Sequence, residues 1–372
     1  MPFFRQRIAT VESAGQRHGG GRFAWFLIPG SCLLIFALIK NYEFYESGLL
    51  DPDFAVIHRA FEFNFGLLPA LLIGCGCLGL GLKMFGGARA GWASIWFLFL
   101  AFDLLALRLY MTEIEPFRLK VREVQILTPK LTEPVRIVHL SDIQAGSITD
   151  YEVKLFERIR ALEPDIIINT GDYLQVVPPA TFAGEFPKLM ELMQSVEPRY
   201  GSFGVFGDTD LNLYRIPVDT LKPLEMLSSR SRTIETSGGL ISIHGLSLYE
   251  SKHGKWALRG IDRWSQETDP EAFKILMGHA PDFAMELANH PIDLCLAGHT
   301  HGGQVRLPFW GALVIDSIVP QEWSRGMTRI GLPLLNVSAG AGSNRYGGLP
   351  RLRFNCPTEV TLIELLPAVR IR

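Results

Sequence analysis

The chain has 372 residues, of which 20% are charged, and a formal net charge of −2 at pH 7. This balance lacks the basic excess of nucleic-acid binders, so we expect no nucleic-acid partner. The five cysteines form neither a disulfide framework nor a thiolate metal site. The mean hydropathy of +0.18 is high for a soluble protein, and the apolar excess lies in about the first 110 residues.

The N-terminal region is predicted to cross a membrane three times. A polar tail covers residues 1–22, and a transmembrane region follows at 23–110. Within it, apolar stretches at 23–39, 66–82 and 92–107 each reach about the minimum length of a spanning helix. The alternative is a buried helical bundle in a soluble protein.

The charges of the loops predict an orientation in the cell membrane. Four arginines lie in the N-terminal tail, whereas acidic residues predominate in the loop at 40–65. The positive-inside rule then keeps the N-terminus in the cytoplasm, and three spans place the C-terminal domain on the extracytoplasmic side. Basic residues directly after the third stretch favour the opposite orientation.

The rest of the chain is predicted to be an α/β domain. Residues 111–134 form a linker with an edge strand at 120–127, and the domain itself covers residues 135–372. Strands alternate with helices from there on, and the helix-poor second half indicates a second sheet packed on the first. Strands are predicted at 135–140, 165–169, 204–206, 240–248, 273–277, 293–296, 312–315, 334–337 and 359–365, and helices at 151–162, 182–196, 218–227 and 281–288.

Candidate metal ligands follow the ends of five of these strands. They are Asp142, Gln144, Asp172, Asp208, His279, His299 and His301. Because the carboxyl ends of strands in an α/β sheet form a shared crevice, we expect these side chains to converge. The donors are oxygen and nitrogen without sulfur, which suits Mn, Fe or Zn, and seven ligands fit two ions better than one. The aspartates could instead cap the helices that follow the strands.

The order and spacing of these motifs resemble those of the calcineurin-like metallophosphoesterases, in particular the membrane-anchored bacterial branch. The resemblance covers about residues 120–366. It implies a four-layer α/β/β/α sandwich and metal-dependent hydrolysis of a phosphoester, for example by a phosphodiesterase that uses manganese. It also implies two metal sites that share Asp172. The first would comprise Asp142, Gln144, Asp172 and His301, and the second Asp172, Asp208, His279 and His299.

Three positions depart from the family pattern. Gln144 stands where the family has His, Asp208 where it has Asn, and Thr209 where it has His. Threonine cannot act as a general acid, so we expect a leaving group that needs little protonation, such as a phosphate of a pyrophosphate bond. Thr209 and the adjacent Asp210 remain the candidate catalytic residues.

Two functions remain open at this point. The first is a membrane-anchored phosphoesterase whose phosphorylated substrate is lipid-linked, such as a precursor of the UDP-diacylglucosamine type. The second is a catalytically impaired sensor or scaffold that binds metal or phosphate, because Gln144 and Thr209 depart from the pattern. Arg345, in the glycine-rich loop at 340–348, is the candidate substrate-binding residue, and a solvated loop is the alternative.

Overall fold

The structure is a computed structural model of the chain, and it describes residues 21–50, 54–84, 88–345 and 350–368. The tail predicted at 1–22 lies outside the described residues except for its last two positions. The chain forms two compact units. The first takes up the chain to Tyr42 and then Phe63–Leu105, and the second takes up Glu43–Glu62 and the chain from Ala106 onwards.

The N-terminal region is helical where the three spans are predicted. Its helices are α1 (Gly21–Leu50), α2 (Phe54–Glu62), α3 (Leu68–Met84) and α4 (Ala88–Leu109), and π-helical turns continue α2 into α3 and extend α4 to Ile114. In the described part of the chain, two segments are long and apolar enough to cross a membrane, Phe54–Gly81 and Trp92–Phe117. Length and composition alone qualify them, and a core helix of a soluble protein meets the same criterion.

The second unit is a mixed α/β structure. Its strands are β1 (Lys120–Thr128), β2 (Val135–Leu140), β3 (Ile166–Asn169), β4 (Ser202–Gly204), β5 (Leu224–Met226), β6 (Arg230–Thr236), β7 (Gly239–Gly245), β8 (Phe273–Met277), β9 (Leu294–Ala297), β10 (Arg306–Leu307), β11 (Gly311–Ala312), β12 (Gly326–Arg329), β13 (Leu334–Val337) and β14 (Glu359–Pro367). Its helices are α5 (Asp150–Arg160), α6 (Phe182–Gln194), α7 (Leu248–Lys252) and α8 (Gly254–Glu267).

These strands build two six-stranded sheets and a small hairpin. The first sheet has the order β1-β14-β2-β3-β4-β5, the second has the order β12-β13-β9-β8-β7-β6, and β10 pairs with β11. Strands β2 to β5 are parallel, as are β7, β8, β9 and β13. The strand β1 lies at a sheet edge, where the sequence predicts one.

The strands of the sheet centres are buried on both faces. In β2, Ile137 packs in a cluster that contains Ile243 and Ile275 of the other sheet, whereas Val138 packs with Leu155 of α5. A third cluster joins the second sheet to α8. Burial on both faces explains the uninterrupted apolar runs of these strands, since parallel sheets are normally covered on both sides.

Four predicted elements differ from the structure. The strand predicted at 204–206 is β4, Ser202–Gly204, which shares only Gly204 with the prediction. The helix predicted at 218–227 is a 3-10 turn, Val218–Leu221, followed by β5. Leu224 and Met226 are buried on either side of exposed Glu225, and this alternation suits a strand that pairs with β4. The helix predicted at 281–288 is a 3-10 turn, and the strand predicted at 312–315 is reduced to β11.

Candidate metal centre

The seven predicted ligands follow parallel strands of the two sheets. Three neighbouring strands of the first sheet, β2, β3 and β4, precede the carboxylates and Gln144, and two neighbouring strands of the second, β8 and β9, precede the histidines. Neighbouring parallel strands end on the same edge of a sheet, so the ligands that follow the strands of one sheet lie close together. The inter-sheet cluster of apolar side chains holds the two sheets face to face.

The backbone is left-handed at five of these positions. The φ angles are 50° at Asp142, 39° at Gln144, 61° at Asp172, 70° at His299 and 49° at His301. Each such residue costs about 1–3 kcal/mol, and strain of this kind persists where the surroundings hold it, commonly at functional sites. Strained residues at the ends of three strands therefore mark the same edge that the sequence predicts.

The side chains of six of the seven residues converge. Two overlapping groups have their ligand atoms within 4.8 Å of one another, and they consist of Asp208, His279 and His299 and of Asp142, Asp172 and His279. In addition, Nε2 of His301 lies 3.6 Å from Oδ1 of Asp142. This donor set is the nitrogen and oxygen set that divalent transition metals bind.

His279 provides a test of whether this site fits a metal ion. Its Nδ1 lies 2.8 Å from the carbonyl oxygen of Thr170, and a carbonyl can only accept, so Nδ1 carries a proton and the lone pair of the neutral ring lies on Nε2. Nε2 has no hydrogen-bond partner among the described residues. It lies 3.6 Å from Oδ2 of Asp172 and 3.5 Å from Oδ2 of Asp208. Two carboxylates that face this nitrogen call for positive charge, either a proton on Nε2 or a metal ion that takes its place, so the residues fit a metal ion.

The pKa values at the site also indicate that its carboxylates are stabilised by nearby positive charge. Burial lowers the pKa of His279, but the carboxylates of Asp172, Asp208 and Asp142 outweigh burial and raise it to about 10. Burial raises the pKa of Asp208, but His279 and His299 hold it well below its usual range. A divalent cation would take the place of the proton that the carboxylates otherwise draw onto His279.

Gln144, the seventh predicted ligand, lies beside the shared carboxylate. Its amide nitrogen donates to Oδ2 of Asp172 over 2.6 Å. Its Oε1 is buried without a hydrogen-bond partner among the described residues. An amide oxygen without a hydrogen bond has its lone pairs available for a cation. A glutamine is nevertheless a weaker ligand than the histidine of the family pattern.

Thr209 and Asp210 hold the loops of the site together. The Thr209 amide donates to Oδ1 of Asp172 over 2.8 Å, and its buried Oγ1 has no hydrogen-bond partner among the described residues. The carboxylate of Asp210 accepts from the amides of Asp172, Tyr173 and Gly207 at 2.7–2.9 Å. Burial and Asp172 raise the pKa of Asp210 to about 7. Its contacts fix the loop after β3 to the loop after β4.

Arg345 lies near the same edge through Gly146. Its amide donates to Oε1 of Gln175 over 2.7 Å, and its guanidinium lies where a side chain on Gly146 would be. A larger residue at position 146 would displace this guanidinium. The structure thus places Arg345 against the loop that carries Gln144.

Sequence reasoning missed Lys252, which lies at the end of α7. Its Nζ is 2.9 Å from Oδ1 of Asp208, while Oδ2 of the same carboxylate faces His279 and His299. The signal was present, because β7 is a further parallel strand of the second sheet and α7 follows its carboxyl end. However, β7 alternates between apolar and polar residues instead of forming an apolar run, and a lysine is not a metal ligand. The motif that predicts the other site residues therefore does not include Lys252.

A second residue that sequence reasoning missed is Arg353, which is fully buried. Its guanidinium donates to the carbonyl oxygens of Ala339 and Cys356 at 2.7 and 3.0 Å, and its Nη2 lies 3.5 Å from Nδ1 of His301. Burial and this positive charge lower the pKa of His301 well below its usual value. His301 is therefore neutral, which is the form that binds a metal.

A chain of hydrogen bonds supports Asp142 from the interior. Asn336 of β13 contacts Nδ1 of His139 at 2.8 Å, and Nε2 of His139 lies 3.0 Å from Oγ1 of Thr170. The hydroxyl of Thr170 donates to Ser141 over 2.7 Å, and Ser141 donates to Oδ2 of Asp142 over 2.5 Å. Because Asn336 belongs to the second sheet and His139 to the first, this chain orients the carboxylate from both sheets.

Comparison with known proteins identifies the class to which the fold and the site belong. The calcineurin-like phosphoesterase family matches residues 135–303. The match runs from the start of β2 to the two glycines that follow the GHTH motif, residues 298–301. This match and the bacterial relatives described below support the calcineurin-like metallophosphoesterase superfamily and a metal-dependent phosphoester hydrolase. Members of the family typically depend on two metal ions.

Curated bacterial relatives match the chain at low identity. The metallophosphoesterase YkuE of Bacillus subtilis is 27% identical over 270 residues, which cover 69% of this chain and 88% of YkuE. The phosphodiesterase YaeI of Escherichia coli is 28% identical, over 63% of this chain and 83% of YaeI. The UDP-2,3-diacylglucosamine pyrophosphatase LpxG of Chlamydia trachomatis is 25% identical, over 69% of this chain and 92% of LpxG.

Proposed function

We propose that this chain is a membrane-anchored phosphoesterase that uses two divalent metal ions to hydrolyse the pyrophosphate bond of a lipid-linked substrate. The arrangement around His279 carries the proposal. A buried imidazole lone pair lies 3.5–3.6 Å from two carboxylates that come from different strands. The fold holds two carboxylates and an imidazole nitrogen together, and a divalent cation bound between them would compensate the negative charge and replace the proton on the imidazole.

We assign the ligands to two cations as the resemblance implies. Asp142, Gln144 and His301 would bind the first, Asp208, His279 and His299 the second, and Asp172 would bind both. The group of Asp208, His279 and His299 supports the second site, and the group of Asp142, Asp172 and His279 places two ligands of the first site next to it. Oxygen donors outnumber nitrogen donors, four residues to three, which favours Mn²⁺ among the candidate metals Mn, Fe and Zn.

The residues of the chain then have distinct tasks in hydrolysis. When bound, the cations would supply positive charge to the phosphate oxygens and activate water for in-line attack on phosphorus. Asp210 fixes the loops that carry Asp172 and Asp208, and it acts as a positioning residue because backbone amides occupy its oxygens. The Lys252 ammonium offers charge to the anionic substrate, and the hydroxyl of Thr209 is available to a substrate oxygen.

The substrate class follows from the departure at Thr209. Without a general acid, hydrolysis of an alkyl phosphoester loses about 10²–10⁴-fold in rate, whereas a phosphate leaving group needs no proton at neutral pH. The relative LpxG is named a UDP-2,3-diacylglucosamine pyrophosphatase. A lipid-linked nucleotide of that type combines a pyrophosphate bond with an acyl part that a membrane-anchored enzyme would meet in the bilayer. Arg345 is the residue that we assign to its phosphate.

We further propose three spans, formed by α1, α3 and α4, with the catalytic domain on the extracytoplasmic side. The division into units supports this topology. The segment Glu43–Glu62, between the first two proposed spans, belongs to the same unit as the chain after the third. Fusion of a reporter that is active only outside the cytoplasm to the C-terminus tests the orientation, and activity of a cytoplasmic reporter there would contradict it.

For the catalytic domain, we propose the four-layer α/β/β/α sandwich over residues 135–372, with 111–134 as linker and edge strand. The three apolar clusters support it. One lies between the sheets, one joins the first sheet to α5 and α6, and one joins the second sheet to α8. An experimental structure of the full chain tests this arrangement of layers.

The full chain, purified in detergent micelles with Mn²⁺, provides the test of function. The substrates are an aryl phosphodiester, a nucleoside diphosphate and UDP-2,3-diacylglucosamine, and the lipid-linked nucleotide should be hydrolysed most efficiently. Asp172→Asn should abolish turnover, because it removes charge from both proposed metal sites. Asp150→Asn, on the exposed first turn of α5, is the matched control and should retain activity.

The same experiment decides between this proposal and the sensor or scaffold. The residues that favour the sensor are Gln144 and Thr209, which depart from the family pattern, and Thr209 replaces its acid. A chain that binds Mn²⁺ but hydrolyses none of the three substrates would support the sensor. Turnover that is lost in Asp172→Asn and kept in Asp150→Asn would exclude it.

A further inference from the structure

A hairpin close to the metal centre exposes large apolar side chains to solvent. It consists of β10, β11 and the turn between them, at the tip of which Phe309 is completely exposed and Trp310 is 73% exposed. Leu307, Leu313 and Ile318 are exposed as well. From residue 307 to residue 321 the sequence contains a single charge, at Asp316. An exposed apolar patch of this kind marks a surface that contacts a partner or a membrane.

Contacts within the second unit tie both flanks of the hairpin to the ends of the apolar helices. At the end of α1, a Cβ placed on Gly48 would lie 3.4 Å from Cγ2 of Val314, which follows β11. On the other flank, the amide of Arg306 donates to the carbonyl of Phe354 over 3.0 Å. The ring of Phe354 packs at 6.5 Å from that of Tyr110, which directly follows α4. The hairpin therefore lies between the points where two proposed spans end.

We propose that this hairpin, residues 306–312, inserts its tip into the headgroup region of the lipid bilayer. Aromatic side chains are favoured at that depth, and amphipathic elements bury their apolar side about 5–10 Å into the interface. Tyr45, near the end of α1, is also an exposed aromatic residue of the second unit. The inference rests on the proposed membrane anchoring, but it does not depend on hydrolysis.

The position of the hairpin gives the insertion a consequence for the site. The hairpin follows the GHTH motif closely in the chain, and Asp316, just beyond it, has Oδ2 3.9 Å from Nε2 of His299. A tip held in the headgroup region therefore holds a proposed metal ligand next to the lipid surface. A substrate with its acyl chains in the bilayer would reach the site with its phosphates first.

Quenching of Trp310 by brominated lipids tests the insertion. The full chain is reconstituted in vesicles of phosphatidylcholine and phosphatidylglycerol, with bromine either near the headgroup end of the acyl chain or near the terminal methyl group. The difference in fluorescence between the wild type and Trp310→Phe isolates Trp310. Trp256→Phe is the matched control, because Trp256 is 70% exposed but lies on α8 beside the exposed, charged Lys255 and Arg259.

The expected result is that the Trp310 signal is shifted to shorter wavelength and quenched more by the shallow bromine than by the deep one. The Trp256 signal should be unaffected. The proposal is overturned if Trp310 is not quenched, as for a hairpin covered by a protein or by a second copy of the chain. It is also overturned if Trp256 is quenched as strongly. Neither result requires turnover, so failure of the insertion and failure of the proposed hydrolysis remain distinguishable.

Discussion

The pair formed by Asp208 and Lys252 predicts that one substitution suppresses the damage caused by another. An asparagine at position 208 would have to present its amide oxygen to the cation and its NH₂ to the position of Nζ of Lys252. Nζ lies 2.9 Å from Oδ1 of Asp208, and two donors cannot share that contact. With Lys252 present, the new asparagine of Asp208→Asn should turn its amide oxygen towards the lysine, so that the contact to the metal ion is lost. Lys252→Met removes the conflict.

The structure sets the size of the effect. Both side chains are about one third exposed, so the ion pair itself is worth only about 1 kcal/mol after solvent screening. Loss of a charge-assisted contact from Asp208 to the cation costs more, about 1.5–3 kcal/mol. Asp208→Asn should therefore weaken Mn²⁺ binding at the second site by about 10- to 150-fold. The double variant should recover most of that loss.

Competition with a fluorescent chelator measures the Mn²⁺ affinity of the full chain without reference to turnover. Lys255→Met is the matched control for the second substitution, because Lys255 is exposed, three positions further along the chain. It should leave the Asp208→Asn affinity unchanged. If Lys252→Met restores no more affinity than Lys255→Met does, the charge pair has no part in holding the ligand.

Three further predictions concern the departures from the family pattern and the response to pH. Gln144→His should raise Mn²⁺ affinity at the first site about tenfold, measured by equilibrium dialysis; an unchanged affinity would show that Gln144 is not a ligand. Thr209→His should accelerate alkyl phosphoester hydrolysis at least about tenfold by supplying an acid, and pyrophosphate hydrolysis little; equal gains for both substrates would refute this role. Burial lowers the pKa of His244 to about 4, whereas an unfolded chain has about 6.5. The unfolded state binds the proton first, so this contribution to stability is complete above pH ~6.5 and is lost as the pH falls towards 4, by about 3 kcal/mol. Thermal unfolding of His244→Gln should depend less on pH in that window, and an identical pH dependence of both proteins would contradict the assignment.

The hydrogen bonds around the site distinguish residues that can contact the substrate from residues that support other residues, and the sequence does not make this distinction. Asp210 is a candidate catalytic residue from the sequence, but three backbone amides occupy its carboxylate. Arg353 has no motif around it, but it lies fully buried against His301. The contacts that a side chain makes, more than its place in a motif, decide whether it meets the substrate or supports a residue that does.

The sequence by itself determined the order of the strands that carry the candidate ligands. Apolar runs such as Ile166–Asn169 are local signals, and the polar residue that follows each run is at a fixed distance from it. The parallel pairing of β2 with β3 and of β8 with β9 then follows from general rules for α/β folds. That is why Asp142, Asp172 and His279 could be singled out together from the sequence.

Only the tertiary structure decided which groups surround those ligands. Lys252 meets Asp208, Arg353 meets His301, and Val314 lies near Gly48. Each of these pairs joins segments that are distant in the chain, and nothing in the local pattern of either segment encodes the other. The strand β5 was misread for the same reason, because three residues with alternating burial become a strand only when β4 lies beside them. Local periodicity fixes an element, whereas long-range packing fixes its neighbours.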